Sequence, residues 1–137
     1  MAGTTASLNL SSNEVDTSWD SVVIIFNDES IPGGKTLDTV ITAFAPEYIR
    51  SGHLIIKETA TGIFRPMPVS GTAYVGTIPT GHVYVGVAVA TVLTKLPFVS
   101  VMVRGSVNQK AFENGGGYTG VPAAAITALS LIRFTQD

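Results

Sequence analysis

The imidazoles of this sequence are His53 and His82, and there is no cysteine. Two histidines without thiolates do not supply the four ligands of a structural zinc site. Neither histidine comes with a Gly-x-Ser-x-Gly elbow or another local signature of nucleophilic hydrolysis. His82 opens an alternating segment on the side opposite its valines, a place for a half-buried or surface ring, and His53 follows Gly52 in what reads as a turn, a place for a solvated one. Among the ten carboxylates are Glu14 with Asp16, Asp28 with Glu29, and Glu47, Glu58 and Glu113 singly. A glycosidase needs two of them facing each other across a cleft, whereas adjacent Asp28 and Glu29 point to opposite faces of an extended chain. Asn27, Asp28 and Glu29 lack the ligand spacing of a calcium loop, so a solvated loop is the better account.

Gly34-Lys35-Thr36, after an apolar run, has the ending of a phosphate-binding loop. That pattern requires a glycine five positions before Gly34, where the chain has Glu29, and two acids beside the loop repel phosphate. Eight Lys and Arg are scattered from Lys35 to Arg133 against ten Asp and Glu, a net charge of −2, so no basic stripe is available to track a nucleic acid backbone. Phe98, Met102 and Arg104 fall on one face of a strand, without the further basic neighbours of a base-stacking platform. With Phe112 and Tyr118 they are candidate subunit-interface residues. No catalytic, metal or cofactor site emerges, and the expectation is a protein without enzymatic activity and without a cofactor.

These residues need a scaffold, and 137 of them suffice for one domain. Only 13% are charged while 45% are hydrophobic, a balance that suits a subunit whose faces are partly covered by partners. The longest apolar stretch, around Val83–Val89, is far short of the ~20 residues of a membrane helix, and Met1–Ser12 does not read as a signal peptide. Residues 1–20 read as an extended arm carrying Leu8, Leu10, Val15 and Trp19, and residues 21–137 as a β-rich body. Short β-branched runs at Val22–Phe26, Leu54–Ile56, Val83–Thr91, Phe98–Val103 and Leu131–Phe134 are punctuated by Gly, Pro, Asn and Asp. Val83, Val85, Val87 and Val89 alternate and are expected in the core; Val99, Val101 and Val103 fall together on one face of a second alternating strand, and the two strands should pair through a loop at 92–96. Pro32-Gly33-Gly34 and Thr80-Gly81 mark turns, Gly115-Gly116-Gly117 a flexible loop, and Pro122 the start of a short Ala-rich helix. The predicted fold is mainly β with one short C-terminal helix, a compact β-barrel or β-tulip-like domain behind an N-terminal arm.

From Pro32 onward the order of features resembles the lambda-type head decoration proteins of tailed bacteriophages. It runs through Pro32-Gly33-Gly34-Lys35-Thr36-Leu37, a glycine turn into a strand at Ile49–Lys57, a hairpin and proline step at Thr61–Met67, strands at Val85–Val89 and Val99–Asn108, and the Ala-rich helix with a closing strand. The similarity covers about residues 32–134 and rests on turn and strand punctuation. It implies a homotrimeric auxiliary capsid protein on the outer surface of the virion, made in the bacterial cytoplasm. Such a subunit clamps neighbouring major capsid proteins at local threefold sites, with Leu8, Leu10, Val15 and Trp19 of the arm against the shell; nucleic acid and membrane are not among its partners. Two alternatives stay open: the base of a head fibre or another minor virion protein, and a small-ligand or carbohydrate-binding β-barrel. The position of Tyr74, Tyr84, Trp19 and Tyr118 discriminates the last one, since a binding barrel gathers them round one cavity.

Overall fold

The computed structural model of the chain describes residues 17–40, 44 and 46–136. Helix α1 (Asp20–Val23) runs directly into β1 (Ile24–Ser30). Then come β2 (Lys35–Thr36), β3 (Tyr48–Ile49), β4 (Leu54–Glu58), β5 (Phe64–Pro66), β6 (Val69–Ser70), β7 (Ala73–Tyr74), β8 (His82–Ala88), β9 (Val92–Leu93), β10 (Phe98–Val99) and β11 (Val101–Asn108). Helices α2 (Gln109–Asn114) and α3 (Ala123–Ala128) and strand β12 (Ile132–Thr135) complete the order. The main sheet has the order β1-β11-β8-β4-β5, with β12 parallel to β11 beside it, and three two-stranded ribbons pair β10 with β2, β3 with β9 and β6 with β7. The domain is mainly β, as expected. It is not a closed barrel: the sheet stays open between β1 and β5, and the described residues form three short helices where one was expected.

Strand β4 explains the architecture. Leu54, Ile55 and Ile56 are consecutive, so their side chains alternate between the two sheet faces, yet all three are fully buried. Both faces are therefore covered. Leu54 and Ile56 join one cluster with Met67, Val87, Met102, Val107 and Phe112 under α2 and α3. Ile55 joins a second with Leu37, Ile49, Ala88, Val99 and Val101 under the short ribbons. A continuous apolar run in place of an alternating one is the sequence mark of a strand covered on both sides.

The valine alternation on β8 is interrupted. Ile55 pairs with Gly86 but Ile56 with Tyr84, so Val85 is an extra residue, a β-bulge that reverses the facing of everything before it. Val87 and Val89 pack on the first cluster and Val85 on the second, while Val83, expected in the core, is 43% exposed. The two predicted strands do pair, with Val87 opposite Met102 and Ala88 opposite Val101, but the expected loop at 92–96 carries β9 on β3, and Phe98–Val99 pairs with β2 instead. The run Val22–Phe26, expected as a strand, begins instead as the last turn of α1 and becomes β1 only at Ile24.

Helix α3 starts after Pro122, where its fixed φ and missing N–H suit a helix entrance. Helix α2 was not expected. Asn108, the last residue of β11, caps it by accepting a 3.0 Å hydrogen bond from the Ala111 N–H on its side-chain oxygen. Its end corrects the expected flexible loop: Gly115 lies against the Trp19 ring and Gly117 against Phe112, so these glycines are there for close packing.

At Gly86 strand β8 runs close against β11, since a methyl group there would run into the Met102 carbonyl. Gly86→Ala should therefore cost about 3 kcal/mol by overpacking, whereas Gly76→Ala, with open space around it, should stay within about 0.5 kcal/mol. Urea unfolding of the two variants measures the difference; equal midpoints would contradict the close contact.

Candidate functional site

The densest constellation of titratable groups is centred on Arg65, the largest fully buried side chain of the domain. Its Nη1 donates to Glu58 Oε2 at 2.7 Å and to His82 Nε2 at 2.8 Å, while Nε and Nη2 both reach Asp38 Oδ2 at 3.2 Å. Glu58 and His82 are register partners on β4 and β8, and Asp38 lies just past β2, where its backbone N–H donates to the Phe64 carbonyl. Because His82 Nε2 accepts, its proton sits on Nδ1, which donates to the Thr80 carbonyl at 3.1 Å. Arg65 and, behind it, Thr61 hold the Glu58 carboxyl below its usual range. Every strong donor and acceptor of His82 is thus engaged by neighbours, and the group acts as a clamp that ties β5 to the ends of β2, β4 and β8.

His53 is placed differently from its expected solvated turn. Its ring is fully buried among Tyr74, Phe44, Tyr118 and Phe112, with centroids 5.2, 5.3, 5.6 and 6.5 Å away. Nε2–H donates to the Met67 carbonyl at 2.9 Å, and Nδ1 is buried with no partner among the described residues. Burial pushes its pKa down to about 4, only partly opposed by the Met67 hydrogen bond. Beside it the Tyr74 hydroxyl accepts from the Leu54 N–H at 3.1 Å, and burial drives that phenol's pKa upward. Gly52, at φ 91°, makes the inward turn, and a side chain there would strike Val23. No local pattern in the sequence marks an inward histidine.

Leu8, Leu10 and Val15 of the predicted arm lie outside the described residues. Trp19 immediately precedes α1, with its ring on Gly115. Next to it, Asp20 accepts from the Thr91 N–H at 2.9 Å and from the Thr91 hydroxyl at 2.7 Å, and that hydroxyl accepts from the Ser51 N–H. Asp20, near the start of the described residues, is therefore fixed to the body. Trp19, Val22, Ile25 and Phe26 remain exposed around it, Phe26 the most at 58%.

The candidate interface set does not come together. Phe98 and Arg104 are exposed, Arg104 pairing with Asp28 at 2.7 Å. Met102 and Phe112 are core residues at 0% and 1% exposure, and Tyr118 is half-buried on the His53 ring. Expecting Met102 beside Phe98 and Arg104 assumed one unbroken alternating strand, but the chain breaks at Ser100 and carries a second bulge at Val103. Lys35-Thr36 forms a strand and no helix follows it, so the phosphate-loop ending has no structural counterpart. Among the described residues no three His, Asp or Glu side chains are grouped to hold a metal ion, and no helix is long and apolar enough to cross a membrane. Compared with known proteins, the chain matches no family model, no curated protein and no solved structure.

The buried His53 makes stability depend on pH. Its folded pKa of about 4 lies below the ~6.5 of an exposed imidazole, so the unfolded chain takes up the proton first. Stability is fully present above pH ~6.5 and falls as the pH drops towards 4, by about 3 kcal/mol in total at ~1.4 kcal/mol per unit. Urea midpoints between pH 7 and 4 should follow this decline in the wild type and flatten in His53→Phe.

Proposed function

We propose that this chain is a head decoration subunit of a tailed phage, which binds the outer face of the assembled shell as a homotrimer and clamps neighbouring major capsid proteins. The observation that carries the reading is the position of the exposed apolar groups. With both faces of the sheet filled from within, Trp19, Val22, Ile25 and Phe26 still stand open to solvent at the point where the N-terminal residues join the body. An apolar patch at the root of an arm gives that arm a second contact on whatever it binds. The turn and strand order behind the resemblance supports it too, with turns at Pro32–Gly34, at Gly52 and at Gly62. Three arms in one trimer bind far more tightly than one, which suits a cement that must hold an expanded lattice.

The aromatic side chains do not favour a ligand-binding barrel. Tyr74 and Tyr118 pack on His53 in the core, Trp19 sits over Gly115, and Tyr84 lines a separate groove.

Cosedimentation of the purified protein with mature, expanded shells of its cognate capsid protein, with light scattering for the free mass, tests the proposal. We expect saturable binding by a trimer, weakened at least about tenfold when residues 1–12 are removed. Full binding without those residues would sink the arm's role; a chain that ignores the shells altogether would sink the cement reading.

A further inference from the structure

Of the four arginines, Arg65 and Arg104 hold carboxylates and Arg133 is exposed. Arg50 is different. It is half-buried, and its guanidinium is wedged between the Tyr48 ring, whose centroid is 4.7 Å from Cζ, and Gly116. A Cβ at Gly116 would stand 3.4–3.5 Å from Nη2, Cζ and Nε alike, so that glycine lies over the flat of the group and not at its edge. Its φ of 94° is also one that favours glycine. Covered in this way the guanidinium is held flat, and its five donors, which lie in the plane, are what remains to meet a ligand.

Among the described residues those donors have no acceptor, for Arg50 makes neither an ion pair nor a hydrogen bond. Asp20 lines the same small cavity, but both its carboxylate oxygens are engaged by Thr91, Oδ2 by the N–H and Oδ1 by the hydroxyl. The cavity, of about 10 Å³, has room for one water at most, so a ligand of Arg50 has to approach from the solvent side. A guanidinium that has given up part of its hydration and gained no anion is a site for one.

What lies beside Arg50 limits the anion. Gly115, the residue before Gly116, carries the Trp19 ring, and Trp19 and Val22 are 39% and 47% exposed. A free oxyanion would use Arg50 and leave that apolar surface in water, whereas an acidic residue of a partner chain, with an apolar neighbour, covers both. One fixed charge beside an apolar patch also sets the register of such a contact.

We infer that Arg50 is the receptor for a carboxylate side chain of a protein partner, an Asp or Glu whose apolar neighbour packs on Trp19 and Val22. The inference deepens the shell-binding reading and rests on it only for which protein the partner is.

The full-length protein titrated with the blocked tripeptide Leu-Glu-Leu should show a progressive shift of the Arg50 Nε–H resonance, and Leu-Gln-Leu at the same concentrations should leave it in place. In Arg50→Lys, which keeps the charge and removes the planar fork, the response of the Trp19 indole N–H to Leu-Glu-Leu should be lost. An unmoved Nε–H, equal responses to the two peptides, or a response to inorganic phosphate as strong as that to Leu-Glu-Leu would overturn the inference. On mature shells, Arg50→Gln should weaken cosedimentation at least about tenfold at unchanged free mass, and Arg133→Gln, at the exposed arginine of β12, should not. Equal binding by Arg50→Gln and the wild type overturns the inference and leaves the cement reading standing. A wild type that responds to Leu-Glu-Leu but ignores the shells sustains the inference and sinks the cement reading.

Discussion

Covering both faces of one strand is the constraint from which the rest of this structure follows. Leu54, Ile55 and Ile56 each contribute roughly 2–3 kcal/mol by leaving water, but they do so on opposite sides of the sheet, and a single-layer domain would strand one set. Each face needs its own cover. On one side α2, α3 and the Val23 end of α1 provide it. On the other there is no helix among the described residues, and the cover is made from irregular chain stitched by two-residue ribbons, β2 with β10 and β3 with β9. A protein of this size has little chain to spare for a second layer, which accounts for ribbons so short and for loops that carry core residues such as Leu37 and Phe44.

Buried polar groups then fix how the thin layers sit. Arg65 could have been an aliphatic residue as far as volume is concerned, but an aliphatic side chain would not distinguish one register of β4, β5 and β8 from the next. The guanidinium does, because its donors must meet Asp38, Glu58 and His82 together, and a slip by one residue would leave a buried charge without partners. His53 has a similar role at the other end of β4, where the hydrogen bond from its ring to the Met67 carbonyl pins the segment after β5 against a cage of rings. The unmatched Nδ1 is the penalty for filling that space with a ring that must also donate a proton.

How much of this was legible in the sequence follows from how local each signal is. The turns at Pro32–Gly34 and Thr80–Gly81, the helix after Pro122 and the pairing of β8 with β11 depend on residues close in the chain, and each could be read directly. The bulge at Val85 could not, because it is set by Gly86 yielding to a carbonyl of β11, a partner 16 positions away. The same bulge defeats the prediction that all four valines face one way. Met102 and Phe112 were misplaced for a related reason: an alternating pattern says which residues share a face but not whether that face is covered. Arg65 and His53 carry no local signature at all, since a charged residue and an imidazole read as surface until their partners, scattered from Asp38 to Tyr118, are known. The start of α2 is a local feature, since Asn108 caps it with its own side chain.

Two of the sheet's free edges are treated differently, and the difference bears on what the surface is for. Outer strand β1 carries Asp28 and Glu29 and is displaced by bulges at Ile25 and Asp28, devices that stop a foreign strand from pairing along it. Its apolar residues Ile25 and Phe26 therefore offer side-chain contact without a backbone template, as suits a face that meets a folded partner. The inner edge at 82–85 has neither a formal charge nor proline on it and lies beside a groove whose walls, with Ser130 among Tyr84, Leu129 and Leu131, are polar as well as apolar, so a backbone template is left there among the described residues. An unguarded edge of that kind invites aggregation unless something fills it.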